Sequence, residues 1–86
     1  MDDRRKRLLY QSRHRGMQEL DLLLGRFAER FLDGMSDVQL DRFEAVIMEN
    51  DLDLLDWITG REALPEALDH DVMQLILDFR NDAIKS

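Results

Sequence analysis

The fold of this 86-residue chain is decided by the segment MQELDLLLGRFAERFL, residues 17–32. Its large apolar residues recur three and four positions apart, which is the spacing of one face of an α-helix. They are Leu20, Leu23, Leu24, Phe27 and Phe31. We therefore predict a helix from about Met17 to Phe31 or Leu32, with this single stripe buried in the core.

The residues before this segment predict another helix. Strand-like alternation is missing, and leucine, glutamate, arginine and alanine dominate, so the chain favours helices throughout. The first helix is expected from about Asp3 to Arg13, capped by Asp2 or Asp3. Because Leu8 and Leu9 are its only strong apolar anchors, this helix needs tertiary support.

A clear start signal follows the central helix. Asp33-Gly34 ends that helix, and Gly34 is suited to a left-handed conformation after the last turn. Ser36-Asp37-Val38-Gln39 has the form of a capping box, in which the first and last residues satisfy each other's backbone amides. A third helix is therefore expected to begin at Ser36 and to reach about Asn50.

Two further helices complete the prediction. Asp51 or Asp53 can cap a short helix that ends at Gly60, and a last helix is expected from about residue 66 or 69 to residue 83. The connections are short, about four to eight residues, as in antiparallel helical neighbours. We predict an all-α, small single-domain five-helix bundle that spans residues 1–86.

Composition excludes several function classes. The chain has no cysteine, so disulfides, thiolate catalysis and cysteine-based zinc sites are excluded. No apolar run approaches the roughly 18 residues that span a membrane, and we expect no membrane partner. The N-terminal residues lack the apolar stretch of a secretory signal. These properties together predict a soluble protein of the bacterial cytoplasm.

Charge changes sign at Gly16. Up to this residue six basic side chains face two acidic ones, a formal +4, so the remaining six basic and seventeen acidic side chains carry −11 and give the net −7. An acidic body disfavours nucleic acid as a partner. Arg4 to Arg7 form a basic head with two open interpretations, a solvated helix end or a local nucleic-acid footprint.

Ordinary catalysis and metal binding are not expected. His14 and His70 are the only histidines, no cluster of ligands converges on either, and both are expected at the surface. An enzyme would have to rely on His14 and Glu19, which flank an exposed helix start rather than a pocket that excludes water. We therefore predict a protein that is not an enzyme and has no metal site.

Gly16 separates two helical patterns. A residue without Cβ can adopt a positive φ or admit another backbone, although a plain C-cap of the first helix explains a glycine equally well. Arg15 and Glu19 are four positions apart and can pair if they share a helical turn, either as a surface ion pair or in readiness for a partner's charges. Tyr10 lies outside the apolar stripes and is a candidate contact residue.

The run Arg15-Gly16-Met17-Gln18-Glu19 resembles the Arg-Gly-x-x-Glu signature of the SdhE family, the flavinylation and assembly factors of succinate dehydrogenase. The upstream run Arg7-Leu8-x-Tyr10-x-Ser12-x-His14 is similar to the family's first-helix pattern. Asp51-x-Asp53-Leu54 and Trp57-Ile58-x-Gly60 also resemble family positions. Gln18 occupies a variable place that often holds a basic residue. The resemblance covers nearly the whole chain and weakens in the last dozen residues.

This resemblance implies a partner and a division of chemistry. The partner would be the flavoprotein subunit of succinate dehydrogenase and, in bacteria, that of related fumarate reductases. FAD would be attached covalently to a histidine of this client protein, and the chain itself would bind no cofactor stably. The candidate partner-binding residues are Arg15, Gly16, Glu19, Tyr10, His14 and Met17.

The resemblance also implies a role for each member of the motif. Gly16 would permit close approach of the client backbone. Arg15 would meet a client carboxylate or carbonyl, and Glu19 would pair with a basic client residue or brace Arg15. The alternative function is an antitoxin-like or nucleic-acid-binding regulator that uses the basic head.

Overall fold

The computed structural model describes the backbone of residues 1–85 and the side chains of residues 1–82. The chain forms five α-helices and two short 3₁₀ turns. The helices are α1 (Asp3–Arg13), α2 (Gln18–Phe31), α3 (Asp37–Ile47), α4 (Asp51–Ile58) and α5 (Asp71–Lys85), and the 3₁₀ turns are Leu32–Gly34 and Glu66–Leu68. Over residues 1–85 no strand is present, and the predicted all-α five-helix class is confirmed.

Helix α2 supplies the centre of the core, and its predicted apolar stripe is confirmed. The stripe is either fully buried or packed against the buried cluster at Leu20, Leu23, Leu24, Phe27 and Phe31. The Phe27 ring centroid lies 5.6 Å from that of Phe43 in α3 and 5.8 Å from that of Phe79 in α5. Aromatic rings at such distances attract one another, and this attraction adds to the stabilisation that comes from burying their apolar surface. The aromatic residues therefore join α2, α3 and α5.

Helix α1 packs on α2, and an arginine adds polar bonds to the rest of the bundle. Leu8 is fully buried, whereas the Arg5 guanidinium donates to the carbonyls of Leu32 (2.8 Å) and Met35 (2.5 Å). These carbonyls lie between α2 and α3, and the Leu32 carbonyl also accepts the Met35 N–H. Arg5 thus satisfies backbone groups of the bundle and fixes the start of α1.

The rest of the basic head lies against acidic residues of α3. Arg4 pairs with Asp41 (2.5 Å) and Glu44 (3.2 Å), and Arg7 pairs with Glu44 (3.1 Å). The Asp41 hydrogen bond, followed by the Glu44 bond, raises the pKa of Arg4, so its charge is retained. Arg4 and Arg7 are therefore neither simply solvated nor free cations, whereas Lys6 of the head is exposed.

Two predicted N-caps are present. Asp2 accepts the Arg5 backbone N–H at 2.8 Å and caps α1. Ser36 and Gln39 form the capping box of α3, with bonds of 3.2 Å from the Gln39 N–H and 3.0 Å to the Gln39 side chain. Both caps are local features, which is why the sequence pattern identified them.

The end of α2 at Phe31 is as predicted, but the conformation of Gly34, the end of α3 and the cap of α4 differ from the prediction. Gly34 is not left-handed, because the Met35 N–H donates to the Leu32 carbonyl (3.2 Å) and closes a 3₁₀ turn that needs no such residue. α3 ends at Ile47 rather than near Asn50. Asn50 caps α4 by accepting the Asp53 N–H at 2.9 Å, so the predicted cap by Asp51 or Asp53 is wrong.

The start of α5 also differs. A separate 3₁₀ turn at Glu66–Leu68 precedes it, and the helix begins at Asp71. His70 is half-buried rather than a surface residue, because its Nδ1 accepts the Met73 N–H (3.1 Å) and caps the helix. The helix continues past the predicted residue 83 to Lys85.

Candidate functional site

The Arg15 side chain is folded into the protein and is only 8% exposed. Its Nε donates to the Asp51 carboxylate at 2.8 Å, its Nη2 donates to the Glu49 carbonyl at 2.5 Å, and its Nη1 donates to the Ile47 carbonyl. A helix leaves its last carbonyls unsatisfied, and a cation is favoured beside them. Arg15 therefore joins the end of α1 to the turn between α3 and α4.

This arrangement differs from the expected pairing of Arg15 with Glu19, while the expected contact of Arg15 with a client stays a prediction. Because α2 begins at Gln18, Arg15 and Glu19 do not share a helical turn, and Arg15 pairs with Asp51 instead. The Arg15 backbone N–H also donates to Asp21 (2.7 Å), which fixes the turn at a second point. These internal bonds use three of the five N–H groups of the guanidinium, and they hold it against the turn between α3 and α4. The geometry makes Arg15 a positioning residue.

Gly16 forms the turn between α1 and α2. Its φ is +96°, which side chains rarely allow, so the predicted positive φ is confirmed. It is not a plain C-cap, because His14 is the C-cap of α1. No atom lies within 4 Å of the position that a Cβ would take. The turn thus presents exposed backbone with free space in front of it.

Exposed side chains from two elements border the Arg15 side of this turn. Tyr10 is 64% exposed, and its ring centroid lies 4.2 Å from that of His14. Met48, at the end of α3, is 73% exposed. The Tyr10 and Met48 side chains both line a groove of about 430 Å³, here called the Tyr10–Met48 groove. It is lined by Tyr10, Gln11, His14, Arg15, Ile47, Met48, Asn50 and Asp51.

The remaining candidates lie around the turn but not in this groove. Gly16 lines a groove of about 560 Å³, whose wall carries the Arg13–Glu29 ion pair. Glu19 is exposed on the first turn of α2 and borders a third groove of about 280 Å³ between α2 and α4. Met17 is half-buried and packs against the core. The six candidates therefore surround one turn and do not line one pocket.

Two residues of this region were not among the candidates. Met48 falls outside the apolar stripe of α3, and the helical spacing of that stripe could have predicted that Met48 is exposed. No local sequence pattern pairs Asp51 with Arg15, because 36 positions separate the two residues and only the fold brings them together.

Metal-ligand clusters and membrane-spanning helices are both missing from the described residues. In residues 1–82 no three histidine or acidic side chains are placed to hold a metal ion. Among the helices described, none is long and apolar enough to cross a bilayer.

Comparison with known proteins gives a consistent family. The profile of the Sdh5 family, described as "Flavinator of succinate dehydrogenase", matches residues 6–80. Succinate dehydrogenase assembly factor 2, mitochondrial, of Danio rerio is 42% identical over 81 residues, which cover 92% of this chain and 51% of that protein. Succinate dehydrogenase assembly factor 2-B, mitochondrial, of Drosophila ananassae is 40% identical over 85 residues, covering 96% and 52%. The chain spans about half the length of the curated relatives it matches.

These names contradict the predicted location. The relatives from Danio rerio, Drosophila ananassae and Dictyostelium discoideum are all named mitochondrial, so the prediction of a bacterial cytoplasmic protein is wrong. That prediction depended on the lack of cysteine and of an apolar N-terminal stretch. A lack of cysteine is compatible with any reducing compartment and does not identify one.

Proposed function

The chain belongs to the Sdh5 family of succinate dehydrogenase flavinators, as its Arg15-to-Glu19 motif predicted, and we propose that it acts as an assembly factor. Its client is the flavoprotein subunit of succinate dehydrogenase, with that of fumarate reductase as a second client. It promotes covalent attachment of FAD to a histidine of this client. The match over residues 6–80 and the names of the relatives support this proposal.

The chain acts by holding the client rather than by supplying a reacting group. The histidine and the FAD both belong to the client, and the chain binds no FAD stably. Formation of the bond requires that the flavin methyl carbon and a histidine nitrogen be held in reacting geometry. Such ordering can lower the activation barrier of a reaction by up to about 7–11 kcal/mol. A partner that binds only the ordered client conformation shifts the client population towards it.

The observation that carries this proposal is the Gly16 turn. Its backbone is exposed, the space where a Cβ would lie is open, and the bonds of Arg15 hold the turn in place. A rigid, exposed turn loses little conformational freedom when a partner binds it. It therefore suits close backbone contact with the client.

Gly60 provides a matched control for a test of this turn. Gly16 and Gly60 both have positive φ, +96° and +82°, and both have open space at the Cβ position. A side chain at either position therefore imposes comparable backbone strain, and its Cβ meets no neighbouring atom. The two variants differ in their location on the surface.

We expect Gly16→Leu to abolish covalent flavin on the co-expressed flavoprotein subunit, and Gly60→Leu to retain it. In-gel flavin fluorescence measures attachment, and circular dichroism checks that each variant is folded. Unchanged flavin fluorescence with a folded Gly16→Leu variant would contradict the contact at this turn. No covalent flavin with the wild-type chain, in cells that require it, would contradict the function itself.

The structure gives no support to the alternative regulator. Arg4 and Arg7 of the basic head are paired with Asp41 and Glu44 of α3. Nucleic-acid binding needs cations that are free to replace counterions on phosphates. We therefore propose no nucleic-acid partner.

A further inference from the structure

We propose that the Tyr10–Met48 groove binds an apolar side chain of the client flavoprotein, carried on a segment that has a basic residue beside it. This inference rests on the proposed function and adds the chemistry of one client contact. It concerns a surface next to the Gly16 turn that includes Met48, which the sequence motif does not contain.

The first argument is the placement of exposed apolar side chains. Tyr10 and Met48 are 64% and 73% exposed, and they line the same groove from different elements. Leu52, directly after Asp51, is 69% exposed. Isolated exposed apolar residues are ordinary on protein surfaces, but a cluster beside a groove marks an interaction site. An apolar side chain that enters the groove would remove Tyr10 and Met48 from water together.

The second argument is that the groove is already formed in the free chain. Arg15 is bonded to Asp51 and to the carbonyls of Ile47 and Glu49. The His14 ring lies against the Tyr10 ring, with centroids 4.2 Å apart and planes tilted by 32°. A preformed site saves the ordering cost of binding. The flexible thioether of Met48 can then adapt to the shape of the entering side chain.

The third argument is charge, which decides between possible occupants. Three carboxylates, here called the acidic rim, adjoin the Met48 side of the groove: Asp51 lines it, Asp53 accepts from the side chain of the lining residue Asn50 at 2.6 Å, and Glu49 lies between Met48 and Asn50 in the chain. Of these, Asp51 is paired with Arg15. Phosphate groups of a nucleic acid or an anionic membrane would be repelled here, and a second copy would bring the same acidic rim and a net charge of −7. A polypeptide with a basic residue beside its apolar anchor is the complementary occupant.

Val38 supplies the matched control for a test. It is 57% exposed and lies on the first turn of α3, whereas Met48 follows the last turn of the same helix. Neither side chain is part of the buried core, so Met48→Glu and Val38→Glu should both fold. Val38 does not line the Tyr10–Met48 groove.

The experiment measures binding of each variant to the purified flavoprotein subunit of succinate dehydrogenase with its FAD not yet attached. Isothermal titration calorimetry gives Kd, and in-gel fluorescence gives the rate of covalent flavin formation. We expect Met48→Glu to raise Kd at least tenfold and Val38→Glu to change it less than twofold. We also expect Kd of the wild-type chain to rise severalfold between 50 and 300 mM NaCl, because added salt screens the acidic rim.

The outcomes separate this inference from the proposed function. If the wild-type chain binds and flavinylates the client and Met48→Glu does so equally well, the groove proposal is overturned while the function stands. If Kd does not depend on the salt concentration, the proposal that the client segment carries a basic residue beside its apolar side chain is overturned. A wild-type dimer that becomes monomeric in Met48→Glu, seen by analytical ultracentrifugation, would make a second copy the occupant. If the wild-type chain neither binds nor flavinylates the client, the function fails and the groove proposal fails with it.

Discussion

At the scale of single residues, neighbours in the Arg-Gly-x-x-Glu motif have opposite surroundings. Arg15 is directed inward and bonded to Asp51 and to backbone carbonyls, whereas Gly16 is exposed with open space in front of it. Glu19 borders a different groove. The motif therefore combines Arg15, which holds the turn in place, with Gly16 and Glu19, which are exposed on the surface.

The role of Arg15 predicts a stability effect. Arg15→Lys keeps the charge, but an ammonium cannot reproduce the planar fork that serves Asp51 and two carbonyls. We expect a loss of about 1–2 kcal/mol in the free energy of unfolding, measured by urea denaturation. Arg26→Lys is the control, since Arg26 is exposed, and should lie within about 0.5 kcal/mol of the wild type. Equal stabilities of the two variants would exclude the positioning role.

The backbone at Gly16 gives a second prediction. Gly16→Ala forces a side-chain residue to φ near +96° and should cost about 1 kcal/mol, although its Cβ meets no atom. Gly34 also has open space at the Cβ position but no positive φ, so Gly34→Ala should cost nothing or stabilise slightly. Thermal unfolding of both variants tests this difference, and a stable Gly16→Ala would show that the strain argument is wrong.

At the scale of elements, sequence periodicity predicted what depends on local chemistry. The stripe of α2, the Asp2 cap and the Ser36 capping box follow from residues within a few positions of one another. The end of α3 did not follow, because Asn50, Asp51 and Asp53 are all suitable caps and packing selects Asn50. The bond between Arg15 and Asp51 depends on the path of the whole chain, and no local pattern contains it.

The contact between α3 and α5 predicts a dependence on pH. The Gln39 side chain, which donates to Asp71 at 3.2 Å, and then Arg42, which pairs with it at 2.8 Å, lower the pKa of Asp71 below its ordinary 3.8. A carboxylate with a lowered folded-state pKa stabilises the fold above its unfolded-state pKa and loses this effect as pH falls through the folded-state value.

We therefore expect Asp71→Asn to unfold at a lower temperature than the wild type at pH 7. The difference should shrink as the pH falls below about 3.8 and disappear once Asp71 is protonated in the folded chain. Scanning calorimetry from pH 2 to 7 measures it, with exposed Asp33→Asn as the control. A difference between Asp71→Asn and wild type that is constant over this range would contradict the charge-based contact.

At the scale of the whole molecule, the uneven charge of the sequence is balanced by folding. The basic head packs on α3, so Arg4 and Arg7 face Asp41 and Glu44. The remaining surface reflects the net charge of −7. The sequence showed the two opposite segments, but the question of whether they meet is settled only by the tertiary fold.

This charge balance predicts weak interaction with polyanions. We expect the chain to pass through a heparin column at about 50 mM NaCl without retention, because nucleic-acid-type binding needs a free basic face. The double variant Asp41→Asn/Glu44→Gln releases the Arg4 and Arg7 side chains and should be retarded more than the wild type. Firm retention of the wild-type chain would revive the nucleic-acid alternative.

The arginines at either end of α1 also fix the lengths of two helices. α1 and α3 each have 11 residues, about 16 Å at the α-helical rise. Arg5 binds carbonyls before α3 and Arg15 binds carbonyls after it, so the helices run side by side in the same direction. One inserted residue in either helix would shift one arginine by about 1.5 Å and rotate it by about 100°, so that both could not remain bonded. Insertions and deletions should therefore be tolerated in residues 59–65 and excluded from both helices.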